Sequence, residues 1–257
     1  RRQGRRLMSA QGQKLAGVQA GLSELRNRLL FVLVALIISR VGSHIPVPGI
    51  NPERLRQLFE QSQGGILDLF NMFSGGALHR MSILALGVMP YITASIIMNL
   101  LTMMHPPLQQ LRKEGEAGRR KLTQYTRYGT LVVALIQGSA LAATLANQGL
   151  AFAPTFTFHF VAITVVVTGA LFMMWLGEQI TERGVGNGIS LLIFSNIVSG
   201  FPSAIGRSFE AARQGDINIV ALLAIGVFAI VVVAFVVFIE RGQRRITVNY
   251  AKRQQGR

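Results

Sequence analysis

Cysteine is absent from these 257 residues, which excludes disulfide frameworks, thiolate metal sites and thiol nucleophiles. Acidic side chains are scarce as well: 11 Asp and Glu stand against 26 Lys and Arg, and charged residues of both signs make up only 14% of the chain. With 50% of the residues hydrophobic, so little charge would not keep a soluble domain of this length dissolved. The four histidines, His44, His79, His105 and His159, lie in separate segments and have no metal-ligating spacing. No serine sits in a nucleophile motif, so neither an enzyme nor a cofactor site is expected. A cleavable signal peptide is not visible either, because a basic, polar N-terminus runs into the first of several apolar segments.

What is present is a series of long apolar runs. A helix crossing a hydrocarbon core of about 30 Å needs about 20 mostly apolar residues. Six segments qualify, near 25–45, 78–104, 122–146, 156–176, 189–205 and 217–239. The last contains no charge at all. The expected fold class is therefore all-α, a polytopic bundle of six transmembrane spans.

The basic residues are distributed unevenly between the loops. Seven lie in 1–28, five in 105–122, one in 177–187 and six in 240–257. The alternate segments hold four in 40–80, none in 147–157 and two in 201–216. Basic loops stay in the cytoplasm, so both termini are expected there. The domain reading is a basic cytoplasmic segment over 1–24, a membrane domain over 25–239 and a basic tail over 240–257. Arg127, one turn inside the third span, is expected to reach back to the interface along its stem.

Between the first two spans, residues 64–76 read GGILDLFNMFSGG, an apolar octet bracketed by paired glycines. It is too short to span, and glycine pairs admit unusual backbone angles, so it reads as a short helix hinged at both ends. Pro90 is expected to bend the second span by removing a backbone donor. The glycine-rich loop 177–188 lacks the preceding strand of a phosphate site and reads as a turn between spans, with Glu178, Glu182 and Arg183 as a solvated charge cluster. Residues 111–121 and 241–257 are strongly basic, which suits anionic lipid, RNA phosphate or an acidic protein surface. No charge lies at the centre of any span, which disfavours coupled transport.

Five segments, in order, carry a resemblance: FNMFSGGA at 70–77, MPYI at 89–92, EGEAGRRK at 114–121, WLGEQITERG at 175–184 and ERGQRR at 240–245. Together they resemble the SecY family, the central subunits of the bacterial protein translocation channel. The likeness covers about residues 21–257 and implies the first six of that family's ten spans. It implies a pore passing unfolded polypeptides across the bilayer and membrane segments laterally into it, in the bacterial inner membrane. The octet would then belong to a plug, with Ile66, Leu67, Leu69, Phe70, Met72 and Phe73 closing the pore. Val88, Ile92, Ile189 and Ile193 would form an aliphatic constriction, which seals by dewetting and offers a passing chain no hydrogen bonds. Thr93, Ile96, Ile97 and Asn99 would line the lateral gate for signal sequences. Arg244, Arg245, Lys252 and Arg257 would contact the ribosome, through its rRNA, or a SecA-like motor ATPase. SecE-like and SecG-like small membrane subunits, the nascent chain and membrane lipids are the remaining implied partners.

Two departures shape the expectation. Four of the family's spans have no counterpart here, and Arg1-Arg2-Gln3-Gly4-Arg5-Arg6 nearly repeats Arg253-Gln254-Gln255-Gly256-Arg257. The chain is accordingly read as a truncated or engineered half-channel, completed by a second copy or by the missing C-terminal half. The competing readings are a partner-binding membrane scaffold and, at greater distance, a solute transporter.

Overall fold

The computed structural model describes residues 23–51, 53–55, 57, 71–152, 156–215 and 218–242. Their principal helices are α1 (23–42), α2 (Met89–Met104), α3 (Pro106–Lys113), α4 (Glu116–Asn147), α5 (Phe156–Arg183), α6 (Gly188–Gln214) and α7 (Ile219–Glu240). The described residues contain no extended strand, only isolated bridges between Pro46 and Ser82 and between Ile50 and Ala151. Among the described residues, four helices, α4 to α7, are long and apolar enough to cross a membrane. The chain divides into two compact units, residues 1–201 and 202–257.

In the first unit, burial follows residue size in a way suited to lipid. Along α4 the buried positions are Gly118, Thr126, Thr130, Ala134, Gly138, Ala142 and Leu145; from Thr126 to Ala142 they form a stripe of small side chains recurring every fourth residue. The large side chains Val132, Leu135 and Ile136 point outward. Lipid tails are as apolar as leucine, so the bundle gains by bringing backbones close together along the small stripe. The threonines satisfy their hydroxyls within the helix, Thr130 donating to the Thr126 carbonyl at 2.8 Å and Thr126 to that of Leu122 at 3.0 Å. α5 is the most enclosed helix, packed against α4 and α2. It buries Ala162, Val166, Gly169, Ala170, Met173, Gly177 and Ile180.

The second span departs from the expected 78–104 helix. Residues 74–88 form successive turns, and helix begins only at Met89. Its 16 residues are too few for a hydrocarbon core of about 30 Å at about 1.5 Å per residue. Positive φ at Gly75, Gly76, Met81 and Gly87 is incompatible with a continuous helix. Irregular backbone at this depth must find partners inside the protein. Val47 N–H donates to the Met81 carbonyl at 2.8 Å and Ile83 N–H to that of Ile45 at 2.9 Å. The segment also lies so close to α5 that a methyl group on Gly169 would stand 1.8 Å from the Ile83 carbonyl oxygen. Pro90 therefore does not bend a helix interior. It occupies the first turn of α2, where its missing donor costs nothing.

The expected loop at 177–188 is likewise shorter. α5 continues to Arg183, and the reversal takes only residues 184–187. Asn187 caps α6, its side-chain oxygen accepting from Ile189 N–H at 3.0 Å and Ser190 N–H at 3.2 Å. The Thr181 hydroxyl accepts from Gly188 N–H at 2.8 Å, fixing the corner.

In the second unit, α7 is capped by Asn218, whose side-chain oxygen accepts from Val220 N–H at 3.2 Å. α7 is apolar on every side and buries none of its residues, the pattern of a helix solvated by lipid.

Candidate functional site

Val88 ends the irregular segment and Ile92 follows on the first turn of α2, while Ile189 and Ile193 lie on the first two turns of α6. All four meet in one apolar cluster. Val88 is 2% exposed within it, beside Ala77, Leu84, Met173, Leu176, Ile180 and Leu192, and the three isoleucines pack on its surface, half-buried. The corner between α5 and α6 aims Ile189. A methyl group on Gly177 would stand 2.3 Å from Ile189 Cδ1, so the glycine opens the space that side chain fills.

The end of the octet reaches the same helix. Residues 71–73 are helical, and a knot of hydrogen bonds follows them. Gly76 N–H donates to the Asn71 carbonyl at 2.8 Å, the Ser74 hydroxyl to the same carbonyl at 3.0 Å, and His79 N–H to the Asn71 side-chain oxygen at 2.9 Å. Three side chains from elsewhere hold this knot. Asn196 on α6, 3% exposed, donates from Nδ2 to the Phe73 carbonyl at 3.1 Å. Arg40 on α1 and Arg80 both donate to the Gly75 carbonyl, at 3.0 Å and 3.2 Å. Met72 is exposed and Phe73 half-buried; Ile66, Leu67, Leu69 and Phe70 lie outside the described residues.

On α2, Ala94 is buried near Gly129 of α4, while Ile96, Ile97 and Asn99 are exposed. Thr93 is half-buried and its hydroxyl donates to the Met89 carbonyl at 3.1 Å. A cleft of about 1120 Å³ opens beside this cluster, lined by Ile92, Ile96 and Ile189 and by Arg127, Glu178 and Glu182. Arg127 does not simply reach for the interface, and Glu178 is not a freely solvated loop charge. The two form an ion pair at 2.8 Å between α4 and α5, with side chains 47% and 13% exposed. Arg244, Arg245, Lys252 and Arg257 lie outside the described residues.

Asn196, Arg40 and Arg80 were not among the expected site residues. Their signal was available, since a lone Asn in an apolar span and an Arg at a span's end each require a polar partner. Nothing in their spacing names that partner.

A protein-family model described as SecY matches residues 82–257. The protein translocase subunit SecY of Pseudomonas aeruginosa is 66% identical over 250 residues, covering 97% of this chain and 57% of that protein. Its counterpart in Escherichia coli K12 is 58% identical, covering 96% and 56%. The chain thus spans little more than half the length of these relatives. Among solved structures, Sec61 in the canine ribosome-channel complex of the endoplasmic reticulum superposes with a TM-score of 0.61 at 18% identity, covering 87% of this chain and 50% of that one. A structure described as a protein conducting channel gives 0.59 at 18% identity, over 83% and 47%. The two structures share the helical fold, and the family model, spanning well over half of the residues, settles the lineage: the chain belongs to the SecY family.

Proposed function

We propose that this chain builds one half of the pore of a protein-conducting channel, with Val88, Ile92, Ile189 and Ile193 as half of an aliphatic collar and residues 64–76 as the plug beneath it. The observation that carries this reading is the meeting of the collar positions in one cluster, with the octet's end bound to the helix that bears Ile189 and Ile193. A ring of branched aliphatic side chains excludes water and ions when closed and grips a passing backbone without hydrogen bonds. The exposed face of α2, with Thr93, Ile96, Ile97 and Asn99, forms one wall of the lateral gate, through which apolar segments reach lipid. The remaining wall and the rest of the collar come from spans supplied by the C-terminal half or by a second copy.

The domain division 1–24, 25–239 and 240–257 belongs to the same reading. Its orientation follows the basic loops, placing both ends on the cytoplasmic side of the bacterial inner membrane. The basic tail, with Arg244, Arg245, Lys252 and Arg257, docks a ribosome or a SecA-like motor. The small SecE-like and SecG-like subunits complete the assembly. Support for these partners comes from the relatives, which are translocase subunits, and from the ribosome-channel complex among the structural neighbours.

A polar collar tests the reading. Ile92→Asn with Ile193→Asn in the complete channel, reconstituted in vesicles, is expected to raise ion flux about tenfold or more, because hydrated side chains lower the dewetting barrier. Flux unchanged by both substitutions would show that these side chains line no pore.

A further inference from the structure

The cleft that Ile92 and Ile189 line is balanced in charge, although the chain is not. The sequence carries a net charge of +15, and residues 105–122 hold five basic side chains. Of those five only Arg119 and Arg120 line the cleft, where Arg127 joins them. Three glutamates stand against these three arginines, Glu116 on α4 and Glu178 and Glu182 on α5. Arg120 and Glu116 are 3.8 Å apart and almost fully exposed, so water screens most of their attraction. Arg127 and Glu178 are joined differently. The Arg127 Nε donates to one carboxylate oxygen at 2.9 Å and an Nη meets the other at 2.8 Å, a two-pronged pairing that fixes the planes of both groups. Glu178 is mostly enclosed, and it directly follows Gly177, the glycine that makes room for Ile189.

We infer that Arg127 and Glu178 determine the charge specificity of the polypeptide path, keeping its mouth equally passable to acidic and to basic stretches. The inference rests on the pore reading above. A cleft with low-dielectric walls focuses the field of any unbalanced charge and concentrates groups of the opposite sign. Conduction needs sites that bind weakly enough to release what enters them. An unfolded polypeptide carries Asp, Glu, Lys and Arg past the same point in succession. An uncancelled arginine would hold each passing carboxylate, and an uncancelled glutamate each passing lysine. Attraction sets the delay, because the chain is driven forward and every charged stretch must leave the cleft for the apolar collar. The close pair cancels both fields, while the charges of the rim remain screened by water. Arg127 and Glu178 act through their net charge in this scheme and make no bond to the passing chain.

A mere clip between α4 and α5 would use the same two residues, and the double variant separates the two roles. Glu178→Gln leaves the cleft one charge positive and Arg127→Met leaves it one charge negative. The two together destroy the clip and restore neutrality.

The test uses the complete channel in vesicles, at mildly alkaline pH and without a membrane potential. Two matched precursors differ only in a short run of aspartates or of lysines, and the readout is the ratio of their transport rates relative to the unaltered channel. Glu178→Gln is expected to slow the aspartate precursor about tenfold against the lysine one, and Arg127→Met to do the reverse, at the lower end of the effect of field focusing. The double variant is expected to return the ratio to within about twofold of the unaltered channel. A second readout is the reversal potential across a potassium chloride gradient, with the pore held open by a stalled precursor. Glu178→Gln should shift it toward chloride and Arg127→Met toward potassium, and the double variant should shift it neither way. Equal slowing of both precursors by all three variants, with no shift in reversal potential, would make the pair a clip and overturn the inference. A ratio unchanged in every variant would overturn it too. Crosslinking of the stalled precursor from Val88 in the same vesicles tells these failures from failure of the pore reading. With that crosslink present only the charge role falls; without it the pore reading falls, and the charge role with it. Should Arg127→Met fail to assemble, Arg127→Gln leaves the same net charge and replaces it.

Discussion

The Arg127 guanidinium meets the Glu178 carboxylate at 2.8 Å, joining α4 to α5 at the wall of the cleft that Ile92 and Ile189 also line. Arg127 is nearly half exposed, so solvent screens much of the attraction. Glu178 is mostly enclosed and depends more on its partner. A double-mutant cycle with Arg127→Met and Glu178→Gln is expected to give a coupling of about 1 kcal/mol in unfolding from detergent micelles. Glu178→Gln alone should leave the helices assembled. A coupling indistinguishable from zero would make the pair a surface contact without structural weight.

Gly169 faces a harder constraint, because the atom it faces is main chain. Ile83 cannot withdraw its carbonyl without breaking the pairing of residues 81–83 with 45–47. Gly169→Ala is therefore expected to destabilise the first unit by about 2 kcal/mol or more. Gly206 on α6 has open space around it, and Gly206→Ala should be neutral or stabilising by up to about 1 kcal/mol. Thermal unfolding of the two variants side by side checks the contrast. Equal effects would mean that the close approach of residues 74–88 to α5 is wrong.

Gly177→Ala separates collar geometry from stability. The new methyl group would meet Ile189 Cδ1, the far end of a flexible side chain, which can move aside at modest energetic cost. Stability should fall by less than for Gly169→Ala. The transport rate of a model precursor should fall severalfold, because Ile189 is pushed out of the cluster it shares with Val88 and Ile92. Normal transport would free Ile189 from any part in the constriction.

The basic tail makes a prediction of a different kind, since it concerns ionic contacts. Arg244→Glu with Arg245→Glu is expected to weaken binding of ribosomes or of a motor ATPase and to flatten its dependence on salt, as fewer counterions are released. Unchanged affinity and salt slope would take the docking role from this segment.

Much of the fold was legible because lipid imposes a simple rule: long apolar runs with charges between them. The runs behind α4 to α7 are legible for that reason, although α4 starts earlier than expected, at Glu116, and α5 and α6 run on to Arg183 and Gln214. The second span departs from its expected helix because hydropathy reports environment and not conformation. Residues 78–88 are as apolar as a helix, yet they are turns held by Ile45 and Val47, far away in sequence. The place of Pro90 escapes the sequence for the same reason, since its position in the first turn of α2 depends on where the turns stop. The collar positions came from family resemblance; spacing alone would have left Val88 and Ile193 as packing residues. Asn196 was visible only as an isolated polar residue, because its partner is a main-chain carbonyl 123 residues away and carries no side-chain signature.

The central claim is that a polypeptide passes between α2 and α6 through the aliphatic collar. A photoreactive side chain placed at Val88 or Ile193 in the complete channel, loaded with a stalled precursor, tests it most directly. The account predicts that both positions crosslink to the translocating segment, and that the same probe at Val231, on the exposed apolar surface of α7, captures lipid instead. Crosslinks at Val231 or in the tail with none at Val88 and Ile193 would contradict it.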